Sequence, residues 1–174
     1  MHRTVKIEKT SLFFLGACIF IILLISIKGF SVRWKNINPS ENEEIILQNK
    51  ENNCGPITLK MIFEHYKIPS TLNEIESNIK VTHRGTSMLA LKEMSELKGL
   101  HAEGWRLTVD DLSKTTFPII LFVNGNHYVV ADSVLCDKVF LRDPTLGKLT
   151  FSIKNLPQMW KGETLVFGAH YLKK

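Results

Sequence analysis

Cys54 heads a Cys-Gly-Pro run where an amphipathic helix begins. A helix N-terminus carries partial positive charge and free N–H groups, and both favour a thiolate over a thiol. A free thiol near neutrality is only a few per cent ionised, so a cysteine nucleophile needs such help. It also needs a base. His127 opens an apolar run directly after Asn124-Gly125-Asn126, which sets it at a strand end beside a turn. An imidazolium near the sulfur lowers the thiol pKa and can later protonate a leaving amine. Asp143, in Arg142-Asp143-Pro144, ends the following strand. Across a hairpin it can reach His127 and fix the imidazole tautomer. Gln48 lies six residues before Cys54, and its side-chain amide can donate to a developing oxyanion. One such donor is worth about 2.7–4 kcal/mol in the transition state. The four together describe acyl transfer by a thiol.

Each residue also has a plainer reading. A lone Cys is often a buried structural residue. Asp-Pro is a frequent turn former, and Gln48 could be a polar linker residue. The other histidines fit a base less well: His2 precedes an apolar segment, His65 falls in a helix and His83 in a loop, while His101 and His170 fall in isolated or late strands. Cys136 sits at a turn without a His-Asp partner pattern. A Cys54–Cys136 disulfide, which would silence the thiol, stays open at this stage.

The elements that position these groups change character midway. Cys54 to Lys67 reads as a helix, with Pro56 in its first turn and Pro69 as its stop. Thr71-Leu72-Asn73-Glu74 is a capping-box pattern for a second helix. A third runs from Ser87 to Lys98, with Gly99 as its C-terminal stop; its Leu89, Leu91 and Met94 could dock a leader helix, but most of them read as core. Thr108-Val109-Asp110-Asp111 starts a short helical turn. From Phe117 the period becomes that of strands: 117–123, 127–134, 139–142, 149–151 and 164–171. Helices first and hairpins second is an α+β pattern, not alternating βαβ.

The chain has 174 residues and a formal charge of +5. Residues 1–35 hold six Lys/Arg against the single acid Glu8, and the rest holds sixteen of each sign. The body is therefore neutral, which argues against a nucleic-acid partner. Three widely spaced cysteines exclude a disulfide framework and a paired zinc site. Ser11 to Ile27 is free of charge and spans about 25 Å as a helix, close to a hydrocarbon core of about 30 Å. With Lys28 snorkelling, it reads as an uncleaved transmembrane anchor. Leu15-Gly16-Ala17-Cys18 resembles a lipidation signal, but the apolar run continues for nine residues past Cys18. The Lys/Arg count is tied across the anchor, so the positive-inside rule leaves the orientation open. The expected organisation is a basic flank over 1–10, an anchor over 11–28, a linker over 29–44 and one folded domain over 45–174. No G-x-x-x-x-G-K-[ST] loop occurs, so ATP is not an expected ligand.

Gln48, Cys54-Gly55-Pro56 with Leu59, Met61 and Ile62, then Arg84-Gly85-Thr86-Ser87, His127-Tyr128-Val129-Val130 and Asp143-Pro144 with Gly147 follow in one order. That order resembles cysteine peptidase family thirty-nine, the bacteriocin-processing peptidases of double-glycine leaders. The resemblance covers residues 45–152. It implies a papain-like fold, with Cys54 as nucleophile, His127 as base, Asp143 as its orienter and Gln48 as oxyanion donor. It implies cleavage of a leader peptide after Gly-Gly, narrow subsites there, and no metal or organic cofactor. Asn53 stands where the family often has Asp, outside the expected proton path. Many members are fused to a transporter. The expectation here is a stand-alone, single-pass protein of the bacterial cytoplasmic membrane, with export left to separate machinery. The competing readings are a non-catalytic leader-docking domain and a papain-like amide hydrolase of cell-wall peptides.

Overall fold

The helix that carries the thiol, α1 (Cys54–His65), is buried along nearly its whole length. Pro56 falls in its first turn, where the missing N–H costs nothing. The helix ends at a Schellman turn: Lys67 N–H donates to Glu64 O at 3.1 Å and Ile68 N–H to Phe63 O at 2.8 Å. Lys67 takes the left-handed conformation there (φ 58°). The stop therefore comes before Pro69 and two residues short of the expected end.

The computed structural model describes residues 44–83 and 85–168. The flank 1–10, the apolar segment 11–28, most of the linker, Arg84 and His170 lie outside the described residues. Among the described residues no helix is long and apolar enough to cross a membrane.

Two further helices follow. Helix α2 (Leu72–Asn78) opens on the expected capping box, with Glu74 N–H donating to Thr71 and the Glu74 carboxylate accepting from Thr71 N–H. Helix α3 (Met88–Leu97) is capped by the Ser87 hydroxyl, which accepts from Ala90 N–H. Its end is a second Schellman turn through Gly99, φ 77°. Leu91 and Met94 are core, whereas Leu89 and Leu97 are exposed. Strand β1 (Ala102–Arg106) begins one residue after His101, where the sequence pattern placed an isolated strand without giving its bounds. After it, α4 (Val109–Leu112) carries a second capping box, Thr108 with Asp111.

The remaining strands are β2 (Ile119–Val123), β3 (His127–Leu135), β4 (Lys138–Asp143), β5 (Gly147–Ser152) and β6 (Trp160–Phe167), with a 3-10 turn at Leu156–Gln158. They form one antiparallel sheet in the order β1-β6-β2-β3-β4-β5. Strand β6 starts earlier than the sequence pattern suggests and lies between β1 and β2. One sheet face packs on α1, through Ile57, Met61 and Phe63 against Ile120, Val130, Leu165 and Phe167. The other face buries Ile119, Leu121, Val129 and Leu141 with Leu112 and Leu156. Burial on both faces is why the apolar run of β2 does not alternate. Each fully buried Leu, Ile or Phe contributes roughly 1.5–3 kcal/mol.

Candidate active site

The β2–β3 turn places the histidine. Val123 pairs with His127, and Asn124 and Gly125 both take positive φ, 53° and 73°. Asn and Gly tolerate that conformation at little cost, so the hairpin register is fixed and His127 is the first residue of β3. Asp143 closes β4, two strands across the sheet from β2. The His127 Nε2 lies 3.0 Å from Asp143 Oδ1. The same carboxylate oxygen accepts from the N–H groups of Thr145 (2.7 Å) and Leu146 (3.2 Å). Asp143 is thus held by its own turn and faces the imidazole as an acceptor.

The other side of the imidazole meets the thiol. Cys54 is buried, at 7 % exposure, and His127 and the N–H groups of Tyr128 and Gly55 act on its sulfur to favour the thiolate. Nε2 is engaged by Asp143, which leaves Nδ1 for the sulfur. Burial pushes the Cys54 thiol up, but the His127 hydrogen bond, the two N–H groups and the His127 charge together hold it below its ordinary 9.0. The hydrogen bond to Asp143, then that to Cys54, raise His127 to about 9 against the opposing effect of burial. For Asp143 burial is the largest influence and acts upward, yet the His127 and backbone hydrogen bonds leave it lowered. All three shifts favour thiolate, imidazolium and carboxylate in a row.

The signs set a pH window. Thiolate and imidazolium coexist above the lowered Cys54 pKa and below about 9. Alkylation of Cys54 by iodoacetamide therefore starts below pH 9.0, and peptide turnover follows a bell whose alkaline limb lies near pH 9. A single alkylation limb centred on pH 9.0 would show a thiol independent of His127. In folding, the His127 contribution is complete below pH 6.5 and is lost as pH rises through about 9.

Gln48 reaches the same place from the linker side. Its N–H donates to Pro144 O at 2.8 Å, just past Asp143. Gln48, Cys54, His127 and Asp143 all line one cleft of about 540 Å³. Cys54 opens α1, so its N–H has no intrahelical acceptor and adds a second donor beside the sulfur. The far wall is Gly85-Thr86-Ser87. A Cβ on Gly55 would stand 3.1 Å from Thr86 Cβ, so glycine allows that wall to press against the first turn of α1. Tyr128 pins the wall by donating its hydroxyl to Thr86 O at 3.0 Å.

All four sequence-derived residues thus meet in one cleft. The remaining described histidines do not join it: His101 faces Glu96 and Glu103, and His65 packs against Tyr66. Cys54 and Cys136 are free thiols, and Cys136 is exposed at the β3–β4 turn. Asn53 is buried and donates to Asn49 Oδ1 and Glu76 Oε1, away from the thiol. Sequence reasoning assigned no role to the Tyr128 N–H, although the residue stands in the His127 motif. It also passed over Arg142 and Asp132, which read as ordinary strand charges.

The family model described as Peptidase C39 family matches residues 42–170. The chain is 28% identical over 125 residues to an uncharacterized protein of Methanothermobacter thermautotrophicus, covering 72% of this chain and 88% of that one. It is 26% identical over 129 residues to the lactococcin-G-processing and transport ATP-binding protein LagD of Lactococcus lactis. That match covers 71% of this chain but only 18% of LagD, so the chain spans less than a fifth of that transporter's length. Among solved structures, a double glycine motif protease from an AMS/PCAT transporter, in complex with the leader peptide, superposes with a TM-score of 0.69 at 25% identity. It covers 75% of this chain and 91% of its own.

Proposed function

The chain belongs to the Peptidase C39 family of cysteine peptidases, and from that premise we propose that it is a membrane-anchored endopeptidase that removes leader peptides after a Gly-Gly pair. The observation that carries the reading is the Asp143–His127–Cys54 relay beside Gln48 in one cleft. In this mechanism the Cys54 thiolate attacks the carbonyl carbon of the second glycine. The oxyanion is met by the Gln48 amide and the Cys54 N–H. His127, already protonated, gives its proton to the leaving amine. A water then attacks the acyl-enzyme, with His127 taking its proton, and the thiolate is released. Asp143 holds the imidazolium in place throughout.

Two features support the substrate class. The solved relative that superposes on the fold is a double-glycine protease holding its leader. The order of the Gln48, Cys54, His127 and Asp143 motifs, matched by the family model over residues 42–170, is the second. The segment 11–28 would hold the domain at the cytoplasmic membrane, with export left to separate machinery.

The test is incubation of the 174-residue chain, in detergent, with synthetic Gly-Gly leader peptides, read by mass spectrometry. Cleavage between the second glycine and the next residue is expected from wild type, and none from Cys54→Ala. Equal cleavage of peptides with Ala-Ala at the junction would remove the specificity claim. Cleavage by Cys54→Ala would remove the mechanism.

A further inference from the structure

The side chain of Arg142 is completely buried one residue before Asp143. Its Nε donates to both carboxylate oxygens of Asp132, at 3.1 and 2.9 Å, and its Nη2 to Asp132 Oδ1 at 2.8 Å. Asp132 stands where the β3–β4 register shifts, between Ala131 and Ser133. The third nitrogen, Nη1, donates at 3.0 Å to the backbone carbonyl of Glu44. Four residues on, Gln48 N–H is bonded to Pro144 O. The segment 44–48 belongs to no helix or strand. It is tied to the end of β4 at both of its ends, by Arg142 and by Pro144.

A buried ion pair is seldom a net stabiliser, since an apolar pair of similar volume often serves as well or better. Stability alone is therefore a poor reason for this one. Its geometry offers another: Asp132 fixes the guanidinium plane, and the fixed plane presents one N–H to a carbonyl of the Gln48 segment. A lysine could offer a charge but not this fork.

We propose that Arg142, oriented by Asp132, is a positioning residue that clamps segment 44–48 so that the Gln48 amide stays in the cleft beside Cys54. The inference rests on reading Gln48 as the oxyanion donor, but its structural half can be tested without turnover. Arg142→Met with Asp132→Leu replaces the pair by apolar side chains and avoids stranding one charge.

In the 174-residue double variant, hydrogen exchange at the Gln48 amide is expected to rise at least tenfold, while that of the β2–β3 core amides stays unchanged. The pH profile of Cys54 alkylation is expected to keep its wild-type shape, because alkylation uses the thiolate and not the oxyanion site. On a Gly-Gly leader peptide, kcat is expected to fall about a hundredfold with KM nearly unchanged, the scale of one lost oxyanion donor. In a Gln48→Ala background the double replacement is expected to cost no further rate.

Unchanged exchange at Gln48 would overturn the clamp whatever the activity. A changed alkylation profile would reassign the pair to support of His127 and Asp143. Raised exchange with full kcat would keep the clamp but overturn its catalytic purpose. Absence of cleavage by wild type would instead strike the leader-peptidase reading, with the exchange result still deciding the clamp.

Discussion

His127→Ala is expected to reduce leader cleavage by about 10⁴-fold or more and to slow alkylation of Cys54 at pH 7. Both effects come from one side chain with two bonds. Burial pushes the Cys54 thiol up, and His127 supplies a hydrogen bond and a charge that bring it down. Without them only the N–H groups of Tyr128 and Gly55 oppose burial. An ordinary thiol, with a pKa of about 8.5, is only a few per cent ionised at pH 7, and burial lowers that fraction further. The leaving amine also loses its proton donor, and general acid–base help alone is worth about 10²–10⁴ in rate. Kinetics on a Gly-Gly peptide measure the first loss, and iodoacetamide rates from pH 5 to 10 measure the second. An unchanged alkylation profile in His127→Ala would mean that the N–H groups of Tyr128 and Gly55 hold the thiolate without His127.

The largest stability effect is expected at Arg142, whose side chain is completely buried. Arg142→Met leaves Asp132 buried with its fork of three donated bonds removed. Breaking one side of a buried pair costs about 3–5 kcal/mol. A domain of this size holds about 5–15 kcal/mol in all, so the variant sits near the edge of folding at 25 °C. Urea midpoints at pH 7 are expected to drop steeply for Arg142→Met and to recover most of the loss in Arg142→Met with Asp132→Leu. A single variant as stable as wild type would show that water or backbone groups solvate Asp132 in place of the guanidinium.

The parts of this fold that were legible in the sequence are those written in local chemistry. Thr71 with Glu74 and Thr108 with Asp111 mark helix starts because a hydroxyl and a carboxylate three residues apart satisfy each other's backbone N–H groups. Asn124-Gly125 marks the hairpin because positive φ is affordable there, and the hairpin delivers His127. Cys54, His127, Asp143 and Gln48 could each be singled out by the chemistry of its type and its place beside a turn or helix end. What escaped notice depends on distant partners. The strand expected beside His101 had no bounds, because β1 includes Gly104 and an exposed Trp105 and takes its extent from pairing with β6. The first half of β6, Trp160-Lys161-Gly162-Glu163, alternates as an edge strand would, yet it lies inside the sheet. Lys67 stops α1 in a conformation that lysine rarely takes, so Pro69 drew attention instead. Arg142 and Asp132 look like solvated charges until ten residues of chain fold back and bury them together.

The place of β6 also orders events in time. Strand β1 touches the sheet only through β6, and β6 joins it to β2. During synthesis β2 to β5 can zip as successive hairpins while β1 waits without a partner. At about 5–20 residues per second, the roughly fifty residues between β1 and β6 take about 3–10 s to emerge. Through that interval Ala102 and the apolar edge of β2 stay uncovered, next to a helix already rich in apolar side chains. Among the described residues the sheet is complete only once β6 lies between β1 and β2.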